Sequence, residues 1–282
     1  MVMITHRYRG PSASGNGGWS AGTVAGLLDR PAGTVVTLRV PPPLDTELSV
    51  VRGEGSVAVH APDGTLVAEA APAVVDAEPV PPIDFAAAVA ASRDFPGLRV
   101  HPFPTCFVCG TGRAEGDGLR LFPGPVGDGV MAAPWRVPAD VSPAMVWAVL
   151  DCPGGWAVGQ DVRPHVLGRI AARTETVPAP GDECVVMGRL LGSEGRKAMV
   201  ATTLYSPAGE LLAHAQATWI AIPATTPASN MVAPATSRRP PIASRRARPS
   251  APAREPPPRR ADPATRSCGR PRWTARGRAA SG

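Results

Sequence analysis

Two stretches of the chain carry apolar side chains on nearly every side of a helical wheel. One holds Val24, Leu27 and Leu28, the other Met145, Val146, Trp147, Val149 and Leu150. A helix with no polar face has to be enclosed by other structure. Ser20 and Ser142 stand where N-caps belong, Pro143 sits where a first-turn proline is tolerated, and Pro31 and Pro153 with the glycines behind them read as stops. The spacing therefore predicts helices over 20–28 and 142–150. After each one the period changes to two. Short β-rich runs follow the first helix, at 34–40, 47–51, 56–60 and 65–70, separated by Pro, Gly and Asp turns. The second helix is flanked by longer runs, at 119–122, 130–137, 167–177, 183–191, 197–205 and 210–222. A weaker amphipathic stretch at 83–95 predicts a connector helix between the two sets.

The two sets are copies. Ser20 to Gly33 returns as Ser142 to Gly155 with Ser, Val, Leu, Asp, Pro and Gly in register. Val-Pro-x-Pro-x-Asp occurs at 40–45 and again at 177–182, and Gly-x-Leu-[Val/Leu]-Ala-x-Ala at 64–70 and 209–215. A period of this length is too long for a solenoid and implies two like domains in tandem. The organisation expected is a first repeat over 1–80, a connector over 81–98, a second repeat over 99–224 and a tail over 225–282. One enclosed helix per repeat followed by an antiparallel meander implies a sheet curled around a helix, an α+β class.

Charge alters the picture only at the tail. The 282 residues carry a formal net charge of +6. Residues 225–282 hold 13 arginines against Glu255 and Asp262, so the body upstream is mildly acidic. That tail is rich in Pro, Arg, Ala and Ser, has Trp273 as its sole aromatic and lacks periodicity, so it is expected to be disordered. Lys197 is the sole lysine, which marks a bias of the whole coding sequence and weakens a nucleic-acid reading. No apolar run reaches the ~18 residues of a membrane span, and MVMITHRYRG lacks the core of a signal peptide. The cytoplasm is the expected compartment. Five cysteines, an odd number, give no secreted-type disulfide framework. Cys106-Phe-Val-Cys109-Gly110 looks like half a zinc knuckle, and no second Cys-x-x-Cys exists to complete it. His101, Cys152 or Cys184 would have to be brought there by the fold, so no metal and no cofactor are expected.

A helix wrapped by an antiparallel sheet, twice in one chain, resembles the double-hotdog acyl-CoA thioesterases. The run from Arg173 to Ile222, with its Pro-Gly-Asp turn, Gly-Arg pair and Gly-x-Leu-x-Ala phrase, is similar to the strands of that superfamily. The resemblance implies a tandem hotdog, with CoA present only as part of the substrate. In double-hotdog thioesterases an aspartate in the second hotdog helix orders the attacking water, helped by a threonine and a glutamine. Asp151 matches that aspartate, Gln216 falls within one residue of the glutamine, and Thr174 is the nearest threonine. A His-Gly-Gly-like triplet opens the helix in single-hotdog thioesterases, where a glycine amide binds the thioester oxygen, and Asn16-Gly17-Gly18 resembles it with Asn for His. The expectation is one composite site: Asp151 and Gln216 as the catalytic pair, with Asn16, Gly17 and Gly18 at the substrate oxygen. The five histidines lie on neither central helix, which speaks against a dehydratase. The rival reading is a non-catalytic acyl-CoA or lipid-binding hotdog, and a homodimer of double hotdogs is the expected assembly if one forms.

Overall fold

The structure, a computed structural model, describes residues 1–29 and 32–223. The Pro/Arg-rich segment 225–282 lies outside the described residues.

The first repeat consists of helix α1 (Gly17–Ala25) and strands β1 (Thr34–Leu38), β2 (Ser49–Gly53), β3 (Ser56–His60) and β4 (Leu66–Pro72). A connector carries helix α2 (Phe85–Ser92), and a two-residue strand β5 (Gly124–Pro125) precedes β6 (Val130–Arg136). Helices α3 (Pro143–Val149) and α4 (Cys152–Ala157) then lead into β7 (His165–Thr174), β8 (Glu183–Glu194), β9 (Lys197–Tyr205) and β10 (Leu211–Ala221).

All ten strands form one antiparallel sheet in the order β2-β3-β4-β1-β7-β10-β9-β8-β6-β5. The order 2-3-4-1 of the first repeat is mirrored as 7-10-9-8 in the second. The two copies are thus related by a pseudo-twofold at the β1–β7 seam, where Thr34 faces Ala172 and Val36 faces Ile170. The duplication seen in the sequence is a duplication of fold, and the architecture is a double hotdog.

The helices lie where their lack of a polar face requires. Val24 of α1 and Met145, Val146, Trp147, Val149 and Leu150 of the second copy join a single core with Val36, Ile170, Ala215, Ala217 and Trp219 from the sheet. Gly18 and Gly22 let α1 and α3 meet closely. A Cβ on Gly22 would stand 2.7 Å from Trp147 Cβ and 2.8 Å from Ala144 Cα, inside any tolerable contact.

The outer face of the second repeat is covered by the connector. Tyr205 Oη donates to the Val80 carbonyl at 2.8 Å, and Val80 N–H donates to Thr203 Oγ1 at 2.9 Å. Around them Ala88, Ala132, Val185, Met187 and Ala201 form a small second core.

Four local expectations are corrected. Helix α1 begins three residues before Ser20, and its N-cap is Asn16, whose Oδ1 accepts from Trp19 N–H at 2.8 Å. Ser142 does cap α3, accepting from Met145 N–H at 3.3 Å, but Pro153 opens the new helix α4 instead of merely ending the old one. The connector helix is shorter than 83–95, starting after its cap Asp84. Residues 119–122 are not a strand: Leu119 and Leu121 donate to the carbonyls of Phe107 and Val108 in a loop pairing. Among the described residues no helix is long and apolar enough to cross a membrane.

Candidate active site

The joint between α3 and α4 fixes the position of Asp151. The residue is 2% exposed, and its side chain is not used as a helix cap. Across the interface of the two repeats it meets the start of α1. Gly18 N–H donates to Asp151 Oδ2 at 2.9 Å, and Asn16 Nδ2 donates to the same oxygen at 3.0 Å. Asn16 therefore does two things with one amide: its oxygen caps α1 and its nitrogen holds the aspartate of the other repeat.

The remaining carboxylate oxygen is unlike the first. Asp151 Oδ1 is buried and has no hydrogen-bond partner among the described residues. Such an atom costs about 1–3 kcal/mol when left unmet. Burial pushes the Asp151 carboxyl up to about 7, against the opposing pull of the Gly18 and Asn16 donors.

A cavity of about 500 Å³ opens beside this pair, within the range of small-ligand sites. Both repeats build its walls. Leu38 and Val40 come from the first, and Trp156, Leu167, Trp219 and the loop around Phe103 from the second. Most of the lining is apolar, with Asn16, Gly17 and Asp151 grouped at one place. Gly17 N–H, the first amide of α1, has no protein acceptor among the described residues, whereas Gly18 N–H is taken by Asp151. A helix-start amide of this kind is a ready donor for a negative oxygen.

The predicted residues separate into two groups. Asn16, Gly17, Gly18 and Asp151 come together. Gln216 does not join them. It lies on β10 between Ala215 and Ala217, which face the main core, so it projects from the opposite side of the sheet. The side-chain period of two in a strand is the reason, since an offset of a single residue exchanges the faces. Thr174 is at the far end of β7 and does not line the cavity.

Residues that the sequence did not assign to this cavity take their places. Gln160, 5% exposed, lines the cavity and closes the 160–165 loop, accepting from His165 N–H at 2.8 Å and donating to the His165 carbonyl at 3.1 Å. Both of its polar atoms are used, so it shapes the wall. His101 Nδ1 accepts from Phe103 N–H at 3.0 Å, which leaves Nε2–H to donate to the Cys109 carbonyl at 3.1 Å. Burial lowers its pKa. Cys106, Cys109 and Cys152 also line the cavity, and all three are buried. The Cys106 thiol is held well below its ordinary range by hydrogen bonds from the neighbouring thiols, Cys109 first, while burial pushes Cys109 and Cys152 up. Of these only the Cys106–Cys109 pair gave any signal in the sequence.

A solved structure shares this architecture. A proposed thioesterase from Novosphingobium aromaticivorans superposes with a TM-score of 0.51 at 17% identity, over 78% of this chain and 93% of its own. A hot-dog-fold protein of unknown function from Alicyclobacillus acidocaldarius gives 0.49 at 13% identity, over 78% of this chain and 91% of that one. A tesB protein from Mycobacterium avium subspecies paratuberculosis gives 0.48 at 16%, over 74% and 88%. At these identities the likeness is one of fold. No protein-family profile matches the sequence, and no curated protein matches it.

Proposed function

We propose that the chain hydrolyses an acyl thioester, with acyl-CoA as the substrate class and the cytoplasm as its compartment. One observation carries the reading: a buried aspartate with one oxygen fixed by two donors from the other repeat and the second left without a partner, at the wall of an apolar cavity.

In this reading Oδ2 is held by Gly18 N–H and Asn16 Nδ2, so the carboxylate is oriented before substrate arrives. Oδ1 accepts a proton of a water molecule placed beside it. The water oxygen attacks the thioester carbonyl carbon, its proton passing to Asp151, and the carbonyl oxygen becomes an oxyanion beside Gly17 N–H. Collapse breaks the C–S bond. The thiolate leaves with the proton returned by Asp151, so that thioester and water become acid and thiol. General-base catalysis of this type is worth ~10²–10⁴ in rate, and a single backbone donor at the oxyanion ~10²–10³. The apolar walls suit the acyl chain and exclude bulk water from the thioester.

The test is thiol release from a panel of acetyl-, hexanoyl-, phenylacetyl- and palmitoyl-CoA. Turnover by the full chain that falls by ~10²–10⁴ in Asp151→Ala supports the proposal. Acyl-CoA binding with no thiol release from any ester overturns it in favour of a binding protein.

A further inference from the structure

The sequence held two cysteines at metal-ligand spacing and no others beside them, and the fold supplies a third. Cys152, at the start of α4, places its Sγ 3.9 Å from that of Cys106, and the sulfurs of Cys106, Cys109 and Cys152 all lie within 4.8 Å of one another. A tetrahedral zinc ion with Zn–S bonds of ~2.3 Å has its thiolates ~3.8 Å apart along each edge. A disulfide would need ~2.0 Å. The Cys106–Cys152 pair stands at that separation, and the Cys109 sulfur lies within 4.8 Å of both.

The surroundings are those of a thiolate. Residues 107–109 form the turn that joins the two cysteines, as in a metal knuckle. Gly110 N–H closes that turn on the Cys106 carbonyl at 2.9 Å, and a Cβ on Gly110 would stand 2.4 Å from the same oxygen. Asn16 Nδ2 lies 3.8 Å from Cys106 Sγ. Nearby is a buried positive charge, that of Arg113, whose Nη1 also pairs with the exposed Asp117 carboxylate at 3.2 Å. The Arg113 side chain is 1% exposed, is bonded to the carbonyls of Thr105, Arg7 and Asp117, and is close enough to Cys106 to be influenced by its charge. Three thiolates with a divalent ion leave one net negative charge, which a buried guanidinium offsets. Three plain buried thiols, acting as small apolar groups, need none of these donors.

We propose that Cys106, Cys109 and Cys152 form a binding site for a thiophilic divalent cation, zinc, that ties the 101–110 loop to the start of α4 beside Asp151. Both nitrogens of His101 are engaged elsewhere, so it is not the fourth ligand. All three cysteines line the cavity, which leaves the fourth position to water or to a thiol entering it. The site stands independently of the hydrolytic reading.

Elemental analysis of the full chain, expressed with zinc and dialysed without chelator, is expected to show stoichiometric zinc. It should be lost in Cys106→Ser, Cys109→Ser and Cys152→Ser and kept in Cys184→Ala, whose thiol lies outside the cluster. Replacement of zinc by Co²⁺ in the wild-type chain should give a thiolate-to-cobalt charge-transfer band with tetrahedral visible bands, a readout that decides the matter even where a serine variant does not fold. Zinc retained by folded Cys152→Ser, or a wild-type chain with neither zinc nor the cobalt band, overturns the proposal. Neither measurement involves turnover, so this proposal and the hydrolytic one fail separately.

Discussion

Replacing Gly22 by alanine tests how closely the two central helices are packed. In an open helix the change is favourable by roughly 0.5–1 kcal/mol, because glycine loses more backbone entropy on folding. Here the new methyl meets Trp147 Cβ at 2.7 Å, Ala144 Cα at 2.8 Å and Trp147 Cγ at 2.9 Å. None of these is the free end of a flexible side chain, so relief requires α1 and α3 to move apart. Overpacking of this kind costs about 1–3 kcal/mol and outweighs the entropic gain, for a net loss of about 1–2 kcal/mol. In a folded unit of this size each kcal/mol moves Tm by ~2–4 °C, so Gly22→Ala should melt about 2–8 °C below wild type. Gly26 supplies the control on the same helix. Its φ of −63° suits alanine, and the nearest atoms to a Cβ are at 3.5 Å. Gly26→Ala should therefore gain ~0.4–1 kcal/mol and melt slightly higher. Thermal unfolding followed by circular dichroism separates the two. Equal or raised stability of Gly22→Ala would refute the close packing of the helices, whatever Gly26→Ala does.

Gly18→Ala sets a Cβ 2.5 Å from Asp151 Cβ and 2.6 Å from the Trp147 carbonyl, so it should lower Tm at least as much as Gly22→Ala and also abolish thiol release. Asn16→Ala removes both the α1 cap and a donor to Asp151; a loss of ~0.5–2 kcal/mol in urea unfolding is expected from the cap alone, and kcat should fall with it. Gln216→Ala should leave kcat unchanged and stability within about 0.5 kcal/mol, and a large loss of turnover would restore the role that the sequence suggested for it. Burial lowers the His165 pKa from 6.5, so below that value the unfolded chain binds protons that the folded one refuses, and stability falls as pH falls. His165→Gln should lose less stability than wild type between about pH 7.5 and about pH 5.5, measured by urea unfolding.

Repetition made the architecture readable, because each phrase vouched for the other's assignment. Strands β3 and β9 occupy the limits that alternation and turns set for them, 56–60 and 197–205. Boundaries failed where local signals are ambiguous. Gly17, Gly18 and Trp19 are weak helix formers, so the eye passes over Asn16 to Ser20 for the cap. Proline is welcome in a first turn as well as after a last one, so Pro153 could be read as a stop while it opens α4. At the candidate site, the meeting of Asn16 and Gly18 with Asp151 followed from pairing the two copies. Gln216 shows the opposite case, where a position one residue away from the expected one presents the other face of the strand. Cys152 lies 46 residues from Cys106, and no local pattern records that the α3–α4 joint returns to the knuckle.

The seam at β1 and β7 has a consequence for symmetry. Two identical subunits joined there would possess two equivalent catalytic centres, and any change to one would be imposed on the other. Fusing them in one polypeptide removes that constraint. The counterpart of Asp151 in the first copy, Asp29, is exposed to solvent, and the residues ahead of α3, Ala139, Asp140 and Val141, include no glycine to match Gly17 or Gly18. One half of the molecule keeps the glycine-opened helix start and the other the buried carboxylate it holds, an asymmetry open only to a chain whose halves are inherited together and free to diverge.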